Sequence, residues 1–103
     1  MAARWRLRKS AEPGRLVPPS AARLRSRAMR LSPNAEVAWH STGEREELLI
    51  GLAGEVQIER RRSGRVTGRL RLRAGETLFI PQRVEHRVVN RSRRSARYIY
   101  VTG

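Results

Sequence analysis

Apolar and polar residues alternate along much of this chain with a period of two residues. The segment 69–73 reads Arg-Leu-Arg-Leu-Arg, which places leucines on one face and arginines on the other. Segment 23–31 has the same pattern, with Leu24, Ser26 and Ala28 on one side and arginines on the other. A period of two is that of a β-strand whose faces meet different environments. Both segments are therefore predicted to be half-solvated strands.

Several further strand-like segments are separated by turn residues. They lie at 36–42, 47–52, 55–59, 78–80, 86–89 and 97–101. Glycine, proline, serine and asparagine mark the turns between them, and Ser63-Gly64 is predicted to be the tip of a hairpin. Seven or eight short strands without a three-turn helix predict an all-β fold, either a sandwich or a barrel.

The N-terminal part of the chain differs from the rest. Residues 1–22 contain Pro13-Gly14 and Pro18-Pro19, which predict an extended arm interrupted by turns. Its predicted anchors are apolar or aromatic: Trp5, Leu7, Leu16 and Val17. With 103 residues in total, the chain has room for one domain, which we place at residues 23–103.

Composition narrows the possible functions. The chain has 23 basic and 9 acidic residues, a formal net charge of +14, so it is expected to adhere weakly to polyanions. The basic residues are scattered and aromatic residues are few, which argues against a specific nucleic-acid partner. A basic protein that binds nucleic acid, with the β-fold as its scaffold only, is kept as a distant alternative. The absence of cysteine excludes disulfides, thiolate zinc sites and a cysteine nucleophile.

The sequence also gives an expectation for location. No apolar run approaches the roughly 18 residues of a membrane span. The charged N-terminus is not followed by the apolar segment of a secretory signal. We therefore expect a cytoplasmic protein without a membrane partner.

The two histidines of the chain fall within two spaced patterns. The C-terminal pattern is Gly75-x5-Pro81-x-Arg83-x2-His86-x3-Asn90. The N-terminal pattern is Asn34-x5-His40-x-Thr42-x4-Glu47-x6-Gly54. These patterns resemble the two motifs of the cupin family. The departures are Arg83 and Asn34, where the family usually has glycine, and Thr42, where it has a second histidine.

This resemblance implies a double-stranded β-helix, the jelly-roll-like cupin barrel, with the motif residues pointing inward. It also implies one divalent metal ion held by His40, Glu47 and His86. Two histidines and one carboxylate match the triad that holds non-haem iron, and Mn, Ni and Zn are also compatible. Small cupins usually pair through their sheets, so the resemblance further implies a homodimer.

Four other residues are predicted to contact a small-molecule substrate or ligand: Thr42, Gln57, Arg83 and Tyr98. Arg83, in the turn of the second motif, is the candidate contact for an anion. Two functions stay open at this point. One is a metal-dependent oxygenase or isomerase acting on a small anionic compound. The other is a non-catalytic binding module without metal, in which the histidines hydrogen-bond each other or Glu47.

Overall fold

A computed structural model describes residues 13–103, so the predicted anchors Trp5 and Leu7 lie outside the described part. Residues 13–103 contain β-strands and no helix, which confirms the all-β prediction, and consequently no helix that could cross a membrane. The strands are β1 (Gly14–Arg15), β2 (Arg25–Leu31), β3 (Glu36–Ser41), β4 (Glu47–Ala53), β5 (Glu55–Arg62), β6 (Arg65–Arg73), β7 (Thr77–Ile80), β8 (Glu85–Val89) and β9 (Ala96–Thr102).

The strands form two antiparallel sheets that pack face to face. The first sheet has the order β1-β2-β9-β4-β7, and the second has the order β3-β8-β5-β6. Apolar side chains from both sheets meet between them, among them Leu49, Ile58, Leu72 and Val88. Leu49 is 1% exposed, and burying a leucine side chain contributes about 2 kcal/mol to stability. This is the predicted jelly-roll-like barrel.

The beginning of the described chain joins the first sheet. Gly14 and Arg15 pair with Ala28 and Arg27 of β2, and the backbone N–H of Leu16 donates to the carbonyl of Ser26. Part of the predicted arm is therefore an edge strand. The division between arm and barrel after residue 22 stays a prediction.

Left-handed backbone explains the glycine positions of both motifs. Gly54 and Gly75 have φ angles of 67° and 81°. Asn34 and Arg83, which replace the usual motif glycines, keep the same conformation with φ angles of 65° and 58°. Asparagine tolerates this region comparatively well, whereas arginine adopts it at some cost in strain. The turns of the two motifs are thus preserved although two of their glycines are not.

The last residue of the second motif, Asn90, ties the β8–β9 turn to the barrel. Its side chain is fully buried and donates to the carbonyls of Leu31 and Arg94, at 2.9 and 2.7 Å. Its amide oxygen accepts from the backbone N–H and the hydroxyl of Ser92. A buried amide needs such partners, because an unsatisfied polar group costs about 1–3 kcal/mol.

A buried carboxylate lies on the outer face of the second sheet. Glu59 is 0% exposed and accepts from the Nε atoms of Arg87 and Arg69 at 2.6 and 2.7 Å, with Arg91 at 3.5 Å. Burial alone raises the pKa of Glu59, but the hydrogen bonds and charges of these arginines outweigh it and leave the pKa lowered. Arg87 and Arg61 also lie over the ring of Trp39, at 5.0 and 4.4 Å. An arginine-covered cluster thus stabilises this face.

Two strands, one of nine and one of four residues, form neighbouring sheet edges. In the described part of the chain, β6 and β7 are the last strands of their sheets. Leu70 and Phe79, on these two strands, are 58% and 55% exposed. Phe79 pairs with Leu48, which is 37% exposed on the same outer face of the first sheet.

Candidate metal centre

A cavity of about 490 Å³ lies between the two sheets. Alternate residues of the neighbouring strands β4 and β9 form one wall: Glu47 and Leu49 on β4, and Tyr98, Tyr100 and Thr102 on β9. The opposite wall comes from β3 and β8. Because alternate residues of a strand share a face, the apolar core continues directly into this cavity.

The structure brings the three predicted metal ligands together in this cavity. His40 and His86 are paired across β3 and β8, and Glu47 begins β4 on the facing sheet. The candidate ligand atoms of the three residues lie within 4.8 Å of one another. The two imidazole rings meet edge to face with a centroid distance of 4.3 Å. His86 and Glu47 are buried, whereas His40 is exposed at the rim.

Backbone carbonyls orient both imidazoles. The Nδ1 of His40 lies 2.8 Å from the carbonyl oxygen of Ala38, and the Nδ1 of His86 lies 3.0 Å from that of Val84. Since a carbonyl only accepts, each Nδ1 must carry the proton. The neutral rings then present the lone pair of Nε2 to the cavity. Such outer partners are typical of metal-binding histidines, and sequence analysis did not identify them.

The contact between His86 and Glu47 tests whether a metal ion fits. Nε2 of His86 lies 2.8 Å from Oε2 of Glu47, which is an ion-pair distance. The contact does not have the angle of a hydrogen bond, and the buried Nε2 has no hydrogen-bond partner in the described residues. Hydrogen bonds weaken steeply with misalignment, so this short contact leaves the lone pair of Nε2 available to an ion. Ligand atoms of one ion, at about 2.0–2.2 Å from it, are about 3 Å apart at right angles. The residues present therefore fit a divalent ion.

Electrostatics in the cavity favour a cation at the same place. Burial lowers the pKa of His86, but the Glu47 carboxylate and the Val84 carbonyl favour the charged ring more and leave the pKa raised above 6.5. Burial, the Glu47 charge and Tyr100 raise the pKa of Tyr98 far above its usual value of 10, so its phenol stays protonated. The Glu47 carboxylate is therefore in position to stabilise either a proton or a metal ion bound at Nε2 of His86.

Thr42 lines the cavity, but its hydroxyl is already in use. It donates to the carbonyl of Pro81 at 2.7 Å and accepts from the backbone N–H of Val84 at 3.1 Å. Thr42 thereby fastens the turn of the second motif next to His86. The side chain that replaces the second motif histidine therefore holds the turn. The group keeps three ligands, and an octahedral ion would keep three open positions.

Of the three other residues predicted to contact a ligand, one lines the cavity and two lie outside its lining. Tyr98 lines the cavity and is 2% exposed. Gln57 lies on the outer face of the second sheet, where its amide oxygen accepts from Arg91 at 3.0 Å. Its neighbours Val56 and Ile58 take the inward positions, because side chains alternate along a strand. Arg83 is likewise outside the cavity lining, and its guanidinium bonds both carboxylate oxygens of Glu44.

Two cavity-lining arginines were not identified from the sequence. They are Arg27 on β2 and Arg45 in the loop between β3 and β4. The alternation along β2 predicts a solvated face for Arg27. The structure shows that this face of β2 borders the cavity, while the small residues Ser26 and Ala28 are buried on the other side.

These features define a small two-sheet β-barrel protein with a His–Glu–His group inside the barrel. The chain belongs to the cupin family, since the sequence profile of the cupin domain matches residues 27–102. The resemblance inferred from the two motifs is thereby confirmed. A search of curated protein sequences returned no significant match.

Solved structures agree on the fold. A Cupin 2 conserved barrel domain protein from Salinispora arenicola is similar, with 20% identity and a TM-score of 0.74 over 99% of this chain and 89% of that chain. The cupin domain of Schizosaccharomyces pombe Cnp3 has 11% identity and a TM-score of 0.75, covering 88% and 62%. A sugar phosphate isomerase of the cupin superfamily from Silicibacter pomeroyi has 18% identity and a TM-score of 0.66, covering 81% and 52%.

Proposed function

We propose that this protein is a metal-dependent cupin that acts on a small anionic compound, as an isomerase or an oxygenase. One observation carries the proposal: three convergent ligand atoms within 4.8 Å, one of them a buried imidazole nitrogen without a hydrogen-bond partner. His40, Glu47 and His86 hold the ion. When bound, such an ion supplies a Lewis acid, or an oxygen-activating centre if it is iron.

The other cavity residues bind and orient the substrate. Tyr98, which is buried, lines the cavity and stays protonated, donates a hydrogen bond to a substrate oxygen. Apolar side chains such as Met29, Leu49 and Val88 exclude water from the inner wall. The similarity to a sugar phosphate isomerase of the cupin superfamily supports an anionic substrate.

The metal content of the wild-type protein tests this proposal. Protein purified without a chelator or a polyhistidine tag, then incubated in turn with Fe(II), Mn(II), Ni(II) and Zn(II), should retain near one ion per chain after dialysis. The three-ligand group with open positions gives the reason. Elemental analysis provides the measurement. Failure to retain any of the four ions would rule out the metalloenzyme.

The second candidate function is a ligand-binding module without metal. The close approach of His86 and Glu47 favours it, because a protonated His86 forms a buried ion pair with the carboxylate. In that case the cavity binds the same class of ligand without turnover. A protein that holds no metal but still binds small anions would be this module.

We also propose a homodimer that buries the outer face of the first sheet. Leu48 and Phe79 are neighbours on this face and are among the large apolar side chains that the described residues leave exposed. Light scattering is expected to give about twice the 11.8 kDa mass of one chain. Phe79→Arg should shift the protein toward the monomer mass, because it places a charge inside the contact. A monomeric wild type would contradict this assembly.

Three expectations from the sequence stay predictions. They are a cytoplasmic location, the absence of a membrane partner and the absence of a specific nucleic-acid partner.

A further inference from the structure

Two arginines face the cavity without a carboxylate partner in residues 13–103. Arg27 and Arg45 line the cavity, and the ion pairs of the described part involve neither of them. The cavity lining holds one carboxylate, Glu47, which is already in contact with His86. Two positive charges thus stand against one negative charge, before any metal ion is counted. The cavity therefore has an unbalanced positive charge that a bound anion would neutralise.

Strand register places Arg27 at a suitable distance from the triad. Arg27 is paired with Tyr100 of β9, and Tyr100 is paired with Leu49 of β4, two residues from Glu47. Neighbouring strands are about 4.8 Å apart and residues two apart on a strand are about 7 Å apart, so the Cα atoms of Arg27 and Glu47 are about 12 Å apart. Both side chains line the same cavity, so one small organic molecule can lie between them.

The backbone and a hydroxyl hold Arg45 at the same end of the barrel. Its Nη1 lies 3.4 Å from the carbonyl oxygen of Arg23 and 3.5 Å from the hydroxyl of Thr102, a cavity-lining residue of β9. These contacts use one nitrogen of the guanidinium and leave the others available. A guanidinium binds carboxylates and phosphates through two parallel N–H groups, which suits this position.

The surface outside the cavity continues the same charge. Arg27 also borders a neighbouring depression of about 390 Å³, which Arg15 and Arg25 line as well. A row of like charges leading to a cavity attracts oppositely charged ligands and speeds their entry. The positive charge is therefore continuous from the surface to the rim of the cavity.

We propose that Arg27 and Arg45 form the anion subsite of the cavity, which binds the carboxylate or phosphate group of a small organic acid. The other end of the same molecule then reaches His40, Glu47 and His86. Only the contact with the triad rests on the proposed function. The binding of the anion by the two arginines does not depend on it. The subsite replaces Arg83, which the sequence suggested, because Arg83 is bound to Glu44 outside the cavity lining.

Binding of simple anions to the purified full chain tests the subsite. The probes are malonate for the carboxylate, inorganic phosphate for the phosphate, and malonamide as an uncharged analogue of malonate. Titration calorimetry at physiological salt should show binding of malonate or phosphate and none of malonamide. Arg27→Met and Arg45→Met should each weaken that binding by roughly tenfold, and the double variant by more.

A matched variant separates the subsite from bulk charge. Arg71→Met removes one exposed arginine on the outer face of the second sheet, away from the cavity, and should bind the anion like the wild type. Equal weakening by Arg71→Met and Arg27→Met would overturn the subsite. So would the absence of binding by both anions up to about 10 mM, where millimolar affinity would be evident.

The metal content of the same samples separates this inference from the proposed function. The arginine variants should retain the metal content of the wild type, because neither arginine belongs to the triad. A metal-free protein that binds malonate through Arg27 and Arg45 would support the subsite and refute the metal-dependent function. If the protein holds one ion per chain and its arginine variants bind anions like the wild type, the metal-dependent function would be supported and the subsite refuted.

Discussion

Replacing His86 by alanine is expected to remove divalent metal from the protein. The change deletes the ligand that is most deeply buried and that the Val84 carbonyl orients. Only His40 and Glu47 remain, and two ligands hold an ion far more weakly than three. We expect the metal content to fall from near one ion per chain to below about a tenth, with an affinity loss of more than roughly 100-fold. Elemental analysis and competition with a chelating dye measure the two quantities.

Two companion variants separate metal loss from misfolding. His86 is 1% exposed, so its truncation leaves a hole and an unpaired carboxylate. His40 is exposed at the rim, and His40→Ala should lose the ion without this damage to the core. Glu44→Gln is the matched control, because Glu44 pairs with Arg83 outside the cavity and should leave the metal content unchanged. Normal metal content in both histidine variants would contradict the site.

Replacing Glu59 by glutamine is expected to lower the free energy of unfolding by about 2–3 kcal/mol. The change keeps the shape of the side chain but removes the charge that Arg69, Arg87 and Arg91 surround. We place the loss below the 3–5 kcal/mol of a broken buried ion pair, because the arginines are partly exposed and can be solvated. Urea unfolding measures the difference, and the melting temperature should fall by roughly 10 °C or more.

The same strand and face provide the control for this variant. Glu55 pairs with Arg73 at 3.1 Å, but both side chains are partly exposed. Glu55→Gln should change the free energy of unfolding by less than about 1 kcal/mol, as exposed ion pairs contribute little. Equal losses of unfolding free energy in the two variants would show that the three arginines around Glu59 stabilise the protein no more than an exposed ion pair does.

At acid pH, the difference in stability between the wild type and Glu59→Gln should depend on pH. The pKa of Glu59 is lowered in the folded state relative to 4.5, so its contribution is complete above that pH. It is lost as the pH falls toward the lowered folded-state pKa, because protonation then favours the unfolded chain. The wild type should therefore lose its advantage over Glu59→Gln progressively below pH 4.5. A constant difference across this range would contradict the lowered pKa.

The fold and the triad could be predicted because both depend on local spacing. Alternation specifies strands directly, and the two motif spacings identify His40, Glu47 and His86 without knowledge of the sheet order. The Nδ1 acceptors, Ala38 and Val84, could not be found in this way. They are backbone groups, which any sequence offers, and only the local conformation decides whether they accept a hydrogen bond.

The anion-binding residues were missed for a different reason. A period of two shows which residues share a face, but it does not show on which side of the sheet that face lies. Strand β2 has small residues on one face and arginines on the other, and the arginine face was taken for the solvated one. In the barrel, that face borders the cavity, so Arg27 lines it. The reverse holds for Gln57, which was predicted to contact a ligand but lies on the outer face of the second sheet.

Strand β6 bears on how copies of this chain avoid aggregation. It is nine residues long and ends its sheet in the described part of the chain, so its outer side is a template on which another strand could form hydrogen bonds. Its arginines are spread along its length: Arg65, Arg69, Arg71 and Arg73. Arg69 and Arg73 are paired with Glu59 and Glu55, whereas the ion pairs of residues 13–103 do not involve Arg65 or Arg71. An approaching copy would bring its own Arg65 and Arg71 against these two charges, and they would repel each other. Uncompensated arginines on an edge strand would therefore disfavour edge-to-edge pairing of two copies, independently of any ligand.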